Sequence, residues 1–319
     1  MAKASAEIVS LVAGVRAGDP RAVARAISLV EEQSEPAQRL LAALFPHAGG
    51  SLVVGVTGPP GAGKSSLVDR LIALLRADAK SVGVVAVDPS SPFSGGAILG
   101  DRIRMQAHAT DPGVFIRSMA TRGHLGGLAA ATDHVVSVLS AAGKDVILVE
   151  TVGVGQDEVE IVGTADVSVL VLVPGLGDEV QALKAGIMEI ADVFVVNKAD
   201  REGVERVVAE IESMLSLVRS DAAPPAIVRS VATRDEGTRA VLDAVFAFHA
   251  RAKGSGALER KRRMTLARQL DDAVTRRLLQ RATEALAPGE RDALIERLVR
   301  RELDPWSAAD ELVGRTARA

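Results

Sequence analysis

The chain has 319 residues, 48% of them hydrophobic and 25% charged, an ordinary globular balance that allows one large domain with extensions or two small ones. A net charge of −3, no Cys and only 2% aromatic residues argue against several function classes. These are a globally basic nucleic-acid or membrane binder, disulfide, thiolate-metal or thiol chemistry, and base stacking on aromatic platforms.

Residues 1–50 are predicted helical. Apolar residues recur at helical spacing from Ile8 to Val30, with a break at Gly18-Asp19-Pro20, and Pro46 and Gly49-Gly50 form a hinge. Glu7, Arg16 and Asp19 make the start read as an amphipathic helix rather than a secretion signal. No run of about 18 apolar residues occurs anywhere, so no membrane span is expected and the default location is cytoplasmic.

Seven short apolar runs follow, at 52–57, 82–87, 114–116, 146–149, 167–173, 193–196 and 227–231. They are bounded by Gly, Asp, Asn or Pro, and helical patterns follow most of them. Continuous Val-rich runs mark strands buried on both faces, hence an α/β fold with a mostly parallel sheet flanked by helices. In such a sheet the functional residues sit just past the C-terminal ends of the strands.

The run at 52–57 leads into Gly58-Pro59-Pro60-Gly61-Ala62-Gly63-Lys64-Ser65-Ser66. Glycine, four residues and then Gly-Lys-Ser is the phosphate-binding P-loop pattern. Its glycines let backbone N–H groups turn towards a phosphate, and the helix that follows adds the positive end of its dipole. Lys64 is expected to bridge the β- and γ-phosphates and Ser65 to ligate Mg²⁺. The preceding strand and the apolar helical residues Leu67, Leu71, Leu74 and Leu75 supply the context the motif requires.

The run at 193–196 ends in Asn197-Lys198-Ala199-Asp200, the Asn-Lys-x-Asp guanine signature. A carboxylate at Asp200 accepts from guanine N1–H and the 2-amino group together, whereas adenine leaves it unpaired. Asn197 is expected to brace the loop and reach the base, with the Lys198 stem packed over the base plane. Ser230-Val231-Ala232-Thr233 is similar to a second guanine loop, in which a backbone N–H meets guanine O6.

The run at 146–149 ends in Glu150, in the position of a Walker B acid, with Gly153 three residues on to bring a backbone N–H to the γ-phosphate. Most GTPases have Asp there, but either carboxylate holds Mg²⁺. Ras-like enzymes place a water-orienting Gln directly after that glycine; here Val154 occupies the position and Gln156 lies two residues beyond. Slow intrinsic hydrolysis follows, with help from another loop or a partner. Asp88 and Asp101 flank a Gly-rich stretch that reads as a switch closing on Mg²⁺ and the γ-phosphate. A third polar, Gly-rich loop runs from Pro174 to Lys184.

Beyond Arg251, Gly254-Ser255-Gly256 reads as a joint, followed by an Arg-rich helical stretch interrupted at Pro288-Gly289 and Pro305. Its Leu and Val positions form a helical stripe, which suits a solvated appendage or an oligomerisation arm. The expected division is an N-terminal helical extension over 1–50, a P-loop GTPase domain over 51–251 and a C-terminal helical arm over 252–319.

Together the stretches GPPGAGKSS, VDPSSPFSGGAILGDRIRM, FIRSMATRGHLGG, VETVGVGQDE, PGLGDEVQALKAG and NKAD, between about residues 52 and 200, resemble the MeaB/ArgK group, which includes the human methylmalonic aciduria type A protein. The resemblance implies a SIMIBI-class P-loop GTPase using GTP/GDP and Mg²⁺, with a homodimer formed through C-terminal helices. It also implies a chaperone that gates cofactor loading and protects or reactivates an adenosylcobalamin-dependent acyl-CoA mutase, which in turn speeds hydrolysis. By residue, Lys64 and Ser65 would bind phosphate and metal, Asp88, Asp101 and Glu150 would surround Mg²⁺, and Gln181 and Lys184 would serve partner-stimulated hydrolysis. Pro92-Phe93 and Arg122-Gly123-His124 resemble a variant seen in some members, including mutase-fused ones.

Other readings are weaker. A metal-insertion GTPase needs Cys or His clusters, and His47, His108, His124, His134 and His249 lack ligand spacing. A kinase or ATPase tied to basic amino-acid transport is opposed by Asp200, and a signal-recognition GTPase by a Met count of only 6.

Overall fold

The computed structural model describes residues 2–32, 34–88, 105–120, 127–151, 163, 165–175, 191–217, 224–284, 286–287 and 289–316. The chain divides into two compact units, Met1–Arg263 and Met264–Ala319.

The first unit is built on one seven-stranded sheet: β1 Leu52–Thr57, β2 Val82–Asp88, β3 Val114–Ala120, β4 Val146–Thr151, β5 Val167–Leu172, β6 Val193–Asn197 and β7 Ala226–Ser230. The order is β3-β2-β4-β1-β5-β6-β7, and every pairing is parallel. All seven predicted runs are strands. β4, β5 and β6 are buried at every position, as continuous Val-rich runs require when helices cover both faces.

Alternate residues of each strand serve opposite faces. On one face, Val54 and Val56 of β1, Val169 and Val171 of β5 and Val193 and Val195 of β6 pack with Leu67, Leu71 and Leu75 of α4 (Lys64–Ala77) and Val241 and Val245 of α7 (Thr238–Gly254). The opposite face has two patches. Val85, Val87, Ile147 and Val149 meet the N-terminal helices α1 (Ala2–Arg16), α2 (Pro20–Glu31) and α3 (Glu35–Leu44) together with α5 (Gly127–Ala141). Leu170, Leu172, Phe194 and Val196 meet α6 (Val204–Leu217). A fully buried side chain such as Leu71 contributes about 1.5–3 kcal/mol through burial.

The predicted break at Gly18-Asp19-Pro20 separates α1 from α2. Asp19 caps α2 by accepting from the Ala22 N–H at 2.7 Å, and Pro20 occupies the first helical turn. The α2 end is tied to edge strand β3, where Arg117 donates to Glu31 with two guanidinium nitrogens, one at 2.9 Å.

The foot of the sheet is closed from the far end of the unit by the start of α8 (Ala257–Glu284). Arg262 donates to both Asp166 oxygens at 2.7 and 2.8 Å, to the Gly49 carbonyl at 2.9 Å and to the Ser51 carbonyl at 3.1 Å. Asp166 also accepts from the Val53 N–H of β1 at 2.9 Å. Beside it, Lys261 donates to Asp192 at 3.1 Å, and Asp192 accepts from the Ser168 N–H of β5 at 2.8 Å.

The second unit is helical: the rest of α8, then α9 (Glu290–Val299) and α10 (Pro305–Thr316), joined by Arg297 donating to Glu311 at 3.0 and 3.2 Å. Along α8, Leu266, Leu270, Val274 and Leu278 recur every four residues, and all four are exposed.

Candidate functional site

The C-terminal strand ends gather the predicted motifs. β1 delivers the chain into the phosphate loop, where Gly58 takes φ 149° and Gly63 φ 88°, values L-residues avoid. A Cβ at Gly58 would lie 2.2 Å from the Val171 carbonyl oxygen of β5, and one at Gly63 would lie 2.4 Å from Asn197 Nδ2. Only glycine lets the loop fold this tightly. α4 starts directly afterwards at Lys64, and Ser65 and Ser66 lie in its first turn. The unpaired N–H groups and positive dipole end of such a turn favour phosphate.

Lys64 is buried, and its Nζ donates to the carbonyl oxygens of Gly58 at 2.7 Å and Pro59 at 3.0 Å. Ser65 Oγ donates to Glu150 Oε1 at 2.6 Å, and both residues are buried. The sheet register makes this contact, because it sets Glu150 beside Val56 of β1 and Ala86 of β2. A hydroxyl and a carboxylate this close form the hard-oxygen donor set that Mg²⁺ takes, so these residues fit the ion. Thr151 Oγ1 donates to Thr57 Oγ1 at 3.0 Å, linking the ends of β4 and β1. The sequence motifs assign neither threonine a role, although each adjoins a motif residue, Glu150 or Gly58.

Asn197 ends β6, is buried, and laces three loops together. Its Nδ2 donates to the Ala62 carbonyl at 2.8 Å, and its Oδ1 accepts from Ser230 Oγ at 3.2 Å and from the Ala232 N–H at 3.1 Å. The expectation was a residue that braces the loop and also reaches the base; the bonds found here are bracing bonds. Lys198 takes φ 56° and donates to the Gly61 carbonyl at 2.7 Å, which lays its stem along the phosphate loop. Asp200 lies 3.1 Å from Arg234 as an ion pair. Sequence spacing gave no sign of that partner. The Ala232 N–H is engaged by Asn197, and the Val231 N–H donates to the Glu236 carbonyl at 2.9 Å.

Asp101, Gly153, Gln181 and Lys184 lie outside the described residues, as does the side chain of Asp88, whose backbone ends β2. Downstream of residues 89–104 the chain is anchored on α4. His108 Nε2 lies 3.1 Å from Asp69 Oδ1, and Arg76 Nε donates to Asp111 Oδ2 at 2.8 Å. Arg76, and then the Gly113 N–H, hold the Asp111 carboxyl below the usual carboxylate range.

An all-parallel sheet with a Gly-Lys-Ser loop after β1, a carboxylate on that serine and Asn-Lys-x-Asp after β6 defines a P-loop GTPase. The chain belongs to the MeaB family, described as "Methylmalonyl Co-A mutase-associated GTPase MeaB", which matches residues 23–287. It is similar to a putative GTPase of Pyrococcus abyssi, with 49% identity over 96% of both chains. It is also similar to the mitochondrial methylmalonic aciduria type A homolog of Mus musculus, with 36% identity over 82% of this chain and 64% of that one. A crystal structure described as an LAO/AO transport system kinase matches with a TM-score of 0.70 and 27% identity over 96% of each chain. The protein is therefore a GTPase that uses GTP/GDP and Mg²⁺.

Proposed function

We propose that this GTPase is a chaperone for an adenosylcobalamin-dependent acyl-CoA mutase, methylmalonyl-CoA mutase or a near relative, whose cofactor loading it gates and which it protects or reactivates. The observation that supports this reading is the family match across most of the chain, whose description names association with methylmalonyl-CoA mutase.

The residues divide the work as follows. The N–H groups between Gly58 and Ser66 hold the phosphates, and Lys64 exchanges its carbonyl partners for phosphate oxygens. Ser65 and Glu150, joined by Asp88 and Asp101, hold Mg²⁺, which when bound neutralises charge on the β- and γ-phosphates. Gly153 offers its N–H to the γ-phosphate. Asn197, Lys198 and Asp200, with Ser230, Val231 and Ala232, form the guanine end. Gln181 and Lys184 are assigned to hydrolysis stimulated by the partner. The exposed apolar stripe on α8 fits the arm over 252–319 to form a homodimer, because monomers rarely expose contiguous apolar surface. The expected setting is cytoplasmic; among the described residues no helix is long and apolar enough to cross a membrane.

The test is steady-state GTP hydrolysis by the chain alone and with methylmalonyl- or isobutyryl-CoA mutase added. Slow turnover that rises well above the sum of the parts supports the chaperone role. An unchanged rate with every adenosylcobalamin-dependent mutase tried removes it.

A further inference from the structure

Arg234 has no place in the P-loop or Asn-Lys-x-Asp signatures, yet its guanidinium lies 3.1 Å from a carboxylate oxygen of Asp200. From the ion pair and the construction of the loop around it, we infer that Arg234 is a positioning residue for base selection. It holds the Asp200 carboxylate from one side so that its other lone pairs face the base. The inference rests on the reading of Asp200 as the guanine acceptor.

Several features fix the backbone that carries Arg234. The turn that carries it is closed at both ends: the Val231 N–H donates to the Glu236 carbonyl at 2.9 Å and the Arg234 N–H donates to the Val231 carbonyl at 2.9 Å. Asp235 takes a left-handed φ of 59°, which turns the chain immediately after Arg234. Thr238 Oγ1 then donates to the Asp235 side chain.

The turn is also bonded to the loop it serves. The Ala199 N–H donates to the Ser230 carbonyl at 3.0 Å, and the Ala232 N–H donates to Asn197 Oδ1 at 3.1 Å. Arg234 and Asp200 are therefore presented by two loops that hold each other in register. Lys198, two residues before Asp200, donates to the Gly61 carbonyl.

The chemistry requires such a holder. An ionised carboxylate has about four lone-pair sites. Guanine uses two in parallel, for N1–H and the 2-amino group, and this demands a fixed carboxylate plane. Asp200 sits at a loop end with its side chain 34% exposed, so neighbouring packing leaves it freedom to rotate. The guanidinium contact to Oδ2, from a side chain itself 59% exposed, biases that rotation and leaves the opposite edge for the base. Rotation breaks the paired geometry that meets N1–H and the 2-amino group together, and inosine, which lacks the 2-amino group, makes no such pair.

The experiment measures the affinity and steady-state kinetics of the full chain with GTP, ITP and XTP, for wild type, Arg234→Gln, Arg234→Lys and Asp200→Asn. Arg234→Gln is expected to raise KM for GTP roughly two- to fivefold, with kcat within about twofold. It is expected to move ITP much less, so the GTP/ITP preference shrinks, and Arg234→Lys should recover most of the loss. Asp200→Asn tests the reading underneath, and is expected to exchange GTP preference for XTP. If Asp200→Asn makes that exchange but Arg234→Gln leaves the GTP/ITP ratio unchanged, the positioning role is overturned. It is equally overturned if Arg234→Gln binds GTP more tightly, since Arg234 would then compete with the base. If Asp200→Asn keeps its guanine preference, the acceptor reading fails and the role of Arg234 fails with it.

Discussion

Asn197 joins the phosphate loop to the guanine end, and replacing it measures how much that joint is worth. Asn197→Ala deletes three hydrogen bonds of 2.8, 3.2 and 3.1 Å at a buried position. The Ala62 carbonyl and the Ala232 N–H lose their partner, and each such orphan costs about 1–3 kcal/mol. The Ser230 hydroxyl can rotate to a new acceptor, so its loss is at the low end. The total is about 3 kcal/mol, which for a unit of this size lowers Tm by about 6–12 °C. Thermal unfolding followed by circular dichroism gives the first number and a GDP titration gives the second, which should weaken at least about tenfold, that is by 1.4 kcal/mol. Asn197→Asp sharpens the test. It keeps the size and the acceptor but sets an oxygen against the Ala62 carbonyl oxygen, so it is expected to lose as much as the alanine. A Tm within about 2 °C of wild type together with unchanged GDP affinity in Asn197→Ala would refute the bracing role.

Four further outcomes are expected. Gly63→Ala puts a Cβ 2.4 Å from Asn197 Nδ2 at a left-handed backbone position, so nucleotide affinity measured by titration should fall more than about tenfold. Glu150→Gln keeps the bond from Ser65 but removes the charge, and the Mg²⁺ concentration for half-maximal hydrolysis should rise about tenfold or more. Lys184→Ala should leave nucleotide binding and basal rate intact while reducing mutase-stimulated hydrolysis; an equal fall in the basal rate argues against a partner-specific role. Asp145 is held below the usual carboxylate range by the backbone N–H of Ser81 and then by its hydroxyl. The folded form thus has the lower proton affinity, and its stabilisation is present above about pH 4 and is lost as pH falls below that. Asp145→Asn should accordingly flatten the fall in Tm on acidification.

The strands could be read from the sequence because burial on both faces forces uninterrupted apolar runs, such as 146–149 and 193–196, that no surface element imitates. The P-loop and Asn-Lys-x-Asp residues were readable because their chemistry needs fixed types at fixed spacing. What escaped has no local signature. Arg262 reaches Asp166 across 96 positions and Arg117 reaches Glu31 across 86, and one arginine among many does not announce its partner. Arg234 was hidden for the same reason. The strand order was also beyond reach, since seven similar Val-rich runs do not say which are neighbours. The partners of Asn197 come only with the register of β6 on β7, which sets Asn197 beside Ser230.

The strand order has a consequence for synthesis. β1 sits at the centre, yet its neighbours are β4 and β5, while β2 and β3 pair beyond β4. A nascent chain released as far as residue 145 thus carries the phosphate loop on a strand with no mate on either side. Only when β4 emerges can β1 join, and parallel pairings over such separations form slowly. The foot of β1 and β5 waits longer still, since Asp166 meets its guanidinium only after residue 262 has left the ribosome. The nucleotide pocket is therefore a late product of translation, and ribosome-bound chains arrested before β4 should be targets for general chaperones rather than for GTP.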